Sequence, residues 1–415
     1  MKQETLAAHL EHGGTEKSFR RTSIQILTSK SGYIATLDGW RGVAIICVIV
    51  AHCTIGWRAI PGWARLFAGL GPKGVQLFFA ISGILITSRL IEEYNWSSNI
   101  NLRAFYVRRA CRILPPAMTY LLVLGLLFVI GVISLPMKPW AASALFCRNY
   151  FGGLTDWYTD HFWSLSVEEQ FYLIWPTLLA WLGLRNCKTA AFILISMIAA
   201  WRWFDFCHNW GSRAFPEAHF WFRSDIIFDG LLWGCLYALL LQSEPMRARF
   251  RQSLSLAAPA IPFLLIAPAA VSELSTRHQS PWSVTAEAML LPAAVTSTIL
   301  NPSSVVGNLL ESTPIRWVGR LSYSLYIWQQ AFLRDSEGGW LLLRLAAVFV
   351  CGCISFYFIE RPLTRLGHRW APPATPGHID LAIDSSQLDG SFEEGKTSGR
   401  LTGGRSRLRH IALNR

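Results

Sequence analysis

Long apolar runs separated by short polar loops occupy most of the 415-residue chain. Apolar windows of about 18 residues or more recur, and each is long enough to cross a bilayer core as a helix. Because hydrocarbon offers no partners to backbone N–H and C=O groups, such runs favour helices. The pattern therefore predicts an all-α, polytopic transmembrane helix bundle. The predicted spans, about ten, cover residues 38–57, 74–91, 114–135, 164–184, 188–203, 226–242, 256–273, 283–301, 318–334 and 339–359.

Charge changes this picture in two ways. Only 15% of the residues are charged, against about a quarter in soluble domains, which excludes a soluble enzyme. The loops on the N-terminal side of the predicted membrane hold about three times as many Lys and Arg residues as the loops on the other side. This bias is typical of cytoplasmic loops. The net charge of +12 therefore indicates orientation, and no nucleic-acid partner is expected. Both termini are predicted to be cytoplasmic, in a multi-pass membrane protein.

Three segments follow from the pattern. Residues 1–36 form a polar cytoplasmic tail, residues 37–362 the membrane domain, and residues 363–415 a polar, disordered cytoplasmic tail. The N-terminal tail lacks the apolar segment of a signal peptide, so the first span is expected to direct insertion.

The nine cysteines show no metal-binding spacing, and no metal site is expected. Cys147 and Cys207 fall in two loops predicted to lie outside, which leaves one bridge between them open.

The first candidate site is the pair Arg41 and His52 in the first span. Eleven helical steps bring both residues to nearly the same face, about 16 Å apart along the axis. Arg41 alone fits an arginine that reaches back to the cytoplasmic interface. His52 lies too deep for that, near the middle of the span, and buried membrane histidines commonly face a cavity. We predict His52 to be the general base.

A second basic set precedes the third predicted span in FYVRRACRILPP, residues 105–116. Arg109 and Arg112 are three residues apart, so one helical turn would let both grip phosphate oxygens. Ordinary positive-inside charge is the alternative. Pro115 and Pro116 follow directly and are expected to fix the start of a short helix.

Two carboxylates and a serine complete the candidates. Glu168 and Glu169 are expected one turn inside the outer end of the fourth span, where acids are costly unless they bind something. A solvated helix N-terminus is the alternative. Ser82 lies inside the second span, where a small residue serves helix packing more often than chemistry.

One ligand shape fits all of these positions. A long cytoplasmic donor with phosphates at one end would meet Arg41, Arg109 and Arg112, and its reactive end would reach His52. An acceptor would arrive from outside past Glu168 and Glu169. Coenzyme A, with a charged nucleotide head and a narrow arm ending in a thioester, has this shape.

The motifs also resemble a known family, the acyltransferase-3 family of OafA-like integral-membrane O-acyltransferases. The resemblance covers residues 37–362 and is carried by LDGWRGVAIICVIVAH (37–52), GVQLFFAISGILIT (74–87), FYVRRACRILPP (105–116), WSLSVEEQFYLIWP (163–176), GRLSYSLYIWQQ (319–330) and FYFIERP (356–362).

The resemblance implies roles for several residues. Arg41 and His52 match the family's arginine and histidine separated by ten residues, and Arg109 with Arg112 matches its Arg-x-x-Arg motif. These positions would handle acyl-CoA and the transfer, in an enzyme of a bacterial inner membrane. We further expect Glu168 and Glu169 to be catalytic, and Ser82 and Tyr323 to contact substrate.

The chain also departs from the family pattern at two positions. Gln76 stands where members carry Asp. Gln329 follows Trp328, where members usually carry a histidine after the tryptophan. The second departure removes a membrane histidine and leaves His52 as the strong base candidate.

We therefore expect a membrane O-acyltransferase that moves an acetyl or other short acyl group from acetyl-CoA to a carbohydrate hydroxyl. Surface polysaccharide, lipopolysaccharide, peptidoglycan and glycolipid are the acceptors that the resemblance implies. Larger members add a C-terminal hydrolase-like domain; the polar residues after the last span predict none here, so transfer is direct or passes through a separate protein. Two alternatives stay open: a proton-coupled transporter or lipid-linked sugar flippase, and acyl transfer to a small molecule such as a macrolide.

Overall fold

The computed structural model describes residues 33–55, 67–151, 153, 156–257, 280–334 and 340–373. Every regular element in these ranges is helical, which confirms the predicted fold class. A 3₁₀ turn at Phe220–Phe222 and a π-helical segment at Ser355–Glu360 interrupt the α-helices. The α-helices are α1 Ala35–Ile55, α2 Leu70–Ser97, α3 Leu102–Val129, α4 Met137–Ala144, α5 Trp157–Asp160, α6 Phe162–His208, α7 Trp210–Ala214, α8 Ser224–Ile227, α9 Asp229–Leu240, α10 Glu244–Ala257, α11 Pro281–Leu300, α12 Val305–Leu310, α13 Thr313–Phe332, α14 Leu341–Ile354 and α15 Arg361–Trp370.

Six helical stretches in the described part of the chain are long and apolar enough to cross a membrane. They are Ala35–Thr54, Leu70–Ser97, Leu102–Val129, Trp157–His208, Pro281–Leu300 and Leu341–Trp370. The protein is thus a multi-pass membrane protein, whereas ten spans and cytoplasmic termini stay predictions. The predicted span 256–273 lies almost wholly outside the described residues.

The predicted spans 164–184 and 188–203 belong to one helical stretch, α6. Its φ of 70° and ψ of 166° at Gly183 break the helical geometry, and the helix resumes on the other side. Glycine adopts this positive φ without steric cost, so the chain turns there without a loop. The first half of α6, before Gly183, carries the acidic motif.

The third span begins earlier than the sequence suggested. α3 runs from Leu102 through Pro115 and Pro116, so the prolines lie inside the helix and the expectation that they mark its start was wrong. Neighbouring side chains and helices can satisfy the backbone groups that a membrane proline disturbs. The hydroxyl of Thr119 adds a further hydrogen bond in this region, to the carbonyl of Pro115 at 2.8 Å. Arg109 and Arg112 consequently lie two to three turns inside α3.

Helices α1 and α13 cross in close contact. A Cβ added at Gly319 would lie 1.7 Å from the backbone oxygen of Asp38, and one added at Gly42 would lie 2.4 Å from that of Ile315. Only glycine permits this approach at these two positions. The crossing places the next turn of α13 beside Arg41.

The last span ends in a π-helical segment, Ser355–Glu360, and continues as α15. Extra residues in a π turn reorient side chains and are frequent at functional sites. Here the segment carries Glu360 into the bundle, where its side chain is buried. α15 extends to Trp370, past the boundary predicted at residue 362, and Arg108 of α3 donates to the carbonyl of Ala371 at 3.1 Å.

At the opposite end, a polar network fixes the segment that follows α6. Arg223 pairs with both Asp205 and Asp225, and Trp201 donates to Asp225 at 2.7 Å. Burial raises the pKa of Asp225, but hydrogen bonds from Arg223 and Trp201 outweigh it and hold that pKa below its ordinary value. All nine cysteines are free thiols, so Cys147 and Cys207 form no bridge.

Candidate functional site

One cavity of about 810 Å³, including the open space at its mouth, lies among α1, α2, α3, α6 and α13. Its walls are apolar apart from a small set of charged and hydroxyl side chains. The polar and charged lining residues are Arg41, Ser82, Arg109, Arg112, Ser164, Glu168, Glu169, Tyr172, Ser322, Tyr323 and Tyr326. Seven of the eight predicted site residues are among them; His52 is the exception.

Three arginines from two helices form the basic part of the lining. Arg41 on α1 donates through Nε to the hydroxyl of Ser322 at 3.2 Å. The guanidinium of Arg109 lies over the rings of Phe105 and Tyr172, with 5.6 and 5.3 Å to the ring centroids. Arg112 and Arg41 interact electrostatically, which brings the two sequence motifs together in one site.

The carboxylates face these arginines and do not mark a separate outer mouth, so that part of the prediction was wrong. Glu168 accepts hydrogen bonds from Ser82 at 3.1 Å and Tyr172 at 3.0 Å, and it interacts electrostatically with Arg41 and Arg109. The reason is the antiparallel alignment of α3 and α6. Because α3 begins at Leu102 and not near residue 114, its arginines lie inside the helix and level with Glu168.

Tyr323 and Glu360 support the inner part of the site. The Tyr323 hydroxyl donates to the backbone oxygen of Ile113 at 2.7 Å, one turn after Arg109. Glu360 accepts from Ser324 at 2.7 Å and interacts electrostatically with Arg112 and Arg41. Three arginines and three carboxylates thus lie close together, half-buried except for Glu360, which is buried.

Two hydroxyl groups of the lining meet at one side of the cavity. There the hydroxyls of Ser164 and Tyr326 lie 2.5 Å apart. Both are also near the backbone oxygen of His161, at 3.2 Å from Ser164 Oγ and 3.1 Å from Tyr326 Oη. This hydroxyl pair, Ser164 with Tyr326, lies between the cavity and His161, which is buried and is not among the lining residues.

His52 lies on the far side of that pair. It occupies the last turn of α1, which ends at Ile55, so it lies nearer the helix end than the sequence suggested. Its Nδ1 is 2.6 Å from Oε1 of Gln329, and its ring meets that of Trp157 edge-on at 5.4 Å. Arg41 and His52 contact α13 two turns apart, at Ser322 and Gln329, which confirms that they share a face of α1.

Sequence reasoning missed several residues of the site. Glu360, Tyr326 and His161 all lie in or directly beside the quoted motifs, yet none was chosen as a site residue. His161 is buried, with its Nδ1 2.5 Å from Oε1 of Gln330. A histidine directly before the Glu168 motif was the signal that could have revealed it.

The arrangement combines two chemical functions. Guanidinium groups bind phosphate oxygens through paired N–H donors, and a low-dielectric site strengthens those bonds. A neutral imidazole held by one ring nitrogen can accept a proton on the other. The site can therefore hold an anionic ligand at one end and move a proton at the other.

Known proteins with similar sequences are acyltransferases. A family described as an acyltransferase domain matches residues 34–360. The chain is 29% identical over 381 residues to the putative peptidoglycan O-acetyltransferase YrhL of Bacillus subtilis, covering 82% of this chain and 56% of that protein. It is 27% identical over 369 residues to the peptidoglycan O-acetyltransferase OatA of Listeria monocytogenes, with 81% and 56% covered. It is 26% identical over 368 residues to the O-acetyltransferase OatA of Staphylococcus aureus (strain NCTC 8325 / PS 47), with 81% and 58% covered.

The chain spans less than two thirds of the length of these relatives. No solved structure matches it. The match to the family runs from the start of α1 to the π-helical segment and contains every residue of the cavity lining. The chain thus belongs to the acyltransferase family defined by this domain.

Proposed function

We propose that the protein is a membrane O-acetyltransferase that takes an acetyl group from acetyl-CoA and transfers it to a hydroxyl of a cell-envelope carbohydrate. The observation that carries the proposal is the single cavity in which Arg41, Arg109 and Arg112 meet. Family membership supports acyl transfer, and the relatives named as O-acetyltransferases support acetyl as the group. Peptidoglycan is the acceptor named for two of those relatives, and other envelope glycans share the same hydroxyl chemistry.

The donor would enter from the predicted cytoplasmic side. Arg109 and Arg112 lie near the start of α3, beside Arg108. Arg108 contacts Ala371, and the start of α3 meets the ends of α2 and α15 there. The phosphates of acetyl-CoA would bind these arginines. The lining of α2 from Val75 to Ile86 rises about 16 Å, which suits the pantetheine arm.

The reaction would proceed between the cavity and His52. Nε2 of His52 takes the proton of the acceptor hydroxyl, the hydroxyl oxygen bonds to the thioester carbon, and the carbon–sulfur bond breaks. The departing thiolate then receives the proton from Nε2, so protons balance. Because Ser164 and Tyr326 lie between the cavity and His52, a movement of the Tyr326 side chain would accompany transfer.

The test uses the purified full-length protein in detergent with radiolabelled acetyl-CoA and a peptidoglycan fragment or envelope polysaccharide. His52→Ala should abolish acetyl transfer while leaving acetyl-CoA binding unchanged, because His52 lies outside the cavity lining. His208→Ala, at the exposed end of α6, is the matched control and should retain full activity. Full transfer by His52→Ala, or no binding of acetyl-CoA by the unaltered protein, would refute the proposal.

The same material separates two routes. A covalent acetyl-histidine predicts labelled protein when the donor is supplied without an acceptor, and ping-pong kinetics. Direct attack by the hydroxyl predicts neither.

A further inference from the structure

The side-chain amide of Gln329 faces one ring nitrogen of His52. The 2.6 Å contact joins Nδ1 of His52 to Oε1 of Gln329. An amide oxygen has no hydrogen to give, so the imidazole nitrogen must be the donor. A neutral ring with its hydrogen on Nδ1 keeps a lone pair on Nε2. That lone pair is what a general base needs.

The next residue of α13 repeats the arrangement. Oε1 of Gln330 lies 2.5 Å from Nδ1 of His161 and also accepts from the His161 backbone N–H at 3.1 Å. The backbone oxygen of Gln330 accepts from Trp157, whose ring packs against His52. Two adjacent glutamines thus contact two histidines, half-buried His52 on α1 and buried His161 at the junction of α5 and α6. The repetition indicates an oriented pair of imidazoles at this end of the bundle.

Gln329 is poorly placed for stability alone. Its side-chain Nε2 is buried and has no hydrogen-bond partner among the described residues. A buried donor without a partner costs free energy that an apolar side chain of similar size would not. Gln329 is fully buried, whereas Ser322, Ser324 and Gln330, which are also buried on α13, are bonded to Arg41, Glu360 and His161. Its oxygen, bonded to His52, is the part of the side chain with an evident role.

We propose that Gln329 is a positioning residue that holds His52 in the tautomer protonated on Nδ1, so that Nε2 is the atom that accepts the proton of the acceptor hydroxyl. This inference rests on the proposed function of His52. It also explains how the chain works without the histidine that the family resemblance leads one to expect at position 329. An imidazole there could either donate or accept, whereas the amide oxygen can only accept.

The first test is spectroscopic and needs no substrate. In protein labelled with ¹⁵N-histidine, the two ring nitrogens of the neutral tautomers have distinct chemical shifts, and His52→Ala identifies the His52 signals. The unaltered protein should show a protonated Nδ1 and an unprotonated Nε2. Gln329→Glu keeps the acceptor oxygen and should preserve that pattern, whereas Gln329→Leu should lose it. Gln242→Leu, whose side chain bonds only to its own helix, should leave it unchanged.

The second test is kinetic. Gln329→Leu should lower kcat for acetyl transfer on the order of 10²-fold, the scale of general-base catalysis, with KM for acetyl-CoA unchanged. Gln329→Glu should recover most of that loss, and Gln242→Leu should match the unaltered protein. A change in KM together with an unchanged kcat would contradict the positioning role.

The two proposals fail separately. If the unaltered protein shows His52 protonated on Nε2, the inference about Gln329 is overturned even when transfer is fully active, and this measurement needs no variant to fold. If His52→Ala transfers acetyl normally, the proposed function of His52 fails even though the tautomer assignment stands.

Discussion

At the scale of single residues, the site depends on arginines that bind through planar, paired donors. Arg41, Arg109 and Arg112 each contact or face hydroxyl, aromatic or carboxylate groups of the lining. A lysine has the same charge but presents a point charge in place of a fork. Charge alone should therefore not be enough at these positions.

Arg112→Lys tests this distinction. We expect KM for acetyl-CoA to rise about tenfold, because one bidentate phosphate contact is worth about 1.4 kcal/mol or more, while kcat changes little. Arg103→Lys, at an exposed position one residue after the start of α3, is the matched control and should behave like the unaltered protein. Steady-state kinetics with varied acetyl-CoA decides the matter. Equal KM values for the two variants would show that Arg112 contributes only general positive charge.

At the scale of helices, the close crossing of α1 and α13 places Arg41 beside Ser322 and His52 beside Gln329. The crossing depends on Gly319, where an added Cβ would overlap the backbone of Asp38. Separating the two helices would move both contacts at once. A change in the packing of these two helices would therefore also change the geometry of the site.

Gly319→Ala should lower the free energy of unfolding by about 1–3 kcal/mol, because the added methyl group forces the helices apart. Gly125→Ala is the control: it lies inside α3, its added Cβ would be 3.8 Å from the nearest atom, and alanine is the better helix former. Thermal unfolding of both variants in detergent measures the difference. An unfolding midpoint for Gly319→Ala equal to that of the unaltered protein would mean that the crossing can relax.

The sequence predicted the helices and most of the site, but not how the helices are aligned. Apolar period and length identified α1, α2 and α3, and the motifs identified seven residues of one cavity. The position of Glu168 relative to the arginines depended on how far α3 extends on the N-terminal side of Pro115. The apolar pattern of a helix does not specify that distance. The contact of His52 with Gln329 joins residues 277 positions apart, which no local pattern encodes.

At the scale of the whole molecule, orientation decides what the site can do. The charge pattern predicts that the ends of α2, α3 and α15 face the cytoplasm. The arginines then lie on the side where acetyl-CoA is made, and His52 lies toward the side of the acceptor. The proposed reaction requires this orientation.

Reporter fusions test the orientation. Green fluorescent protein fused after residue 373 should fluoresce, because it folds in the cytoplasm, and alkaline phosphatase fused after residue 214 should be active, because it folds outside. The reciprocal fusions are the controls and should be silent. The reverse result at both positions would place the arginines on the outer side and exclude cytoplasmic acetyl-CoA as the donor.

The hydroxyl pair of Ser164 and Tyr326 has a consequence for the cell's energy supply. An enzyme that works across a membrane risks opening a path for ions and protons, which would discharge the membrane potential. Here two hydroxyls of the cavity lining lie 2.5 Å apart, and the buried ring of His161 packs edge-on against Tyr326 behind them. On the proposed function, a two-carbon unit could leave the cytoplasm through a bilayer that stays sealed to protons, while its bulky nucleotide carrier stays behind.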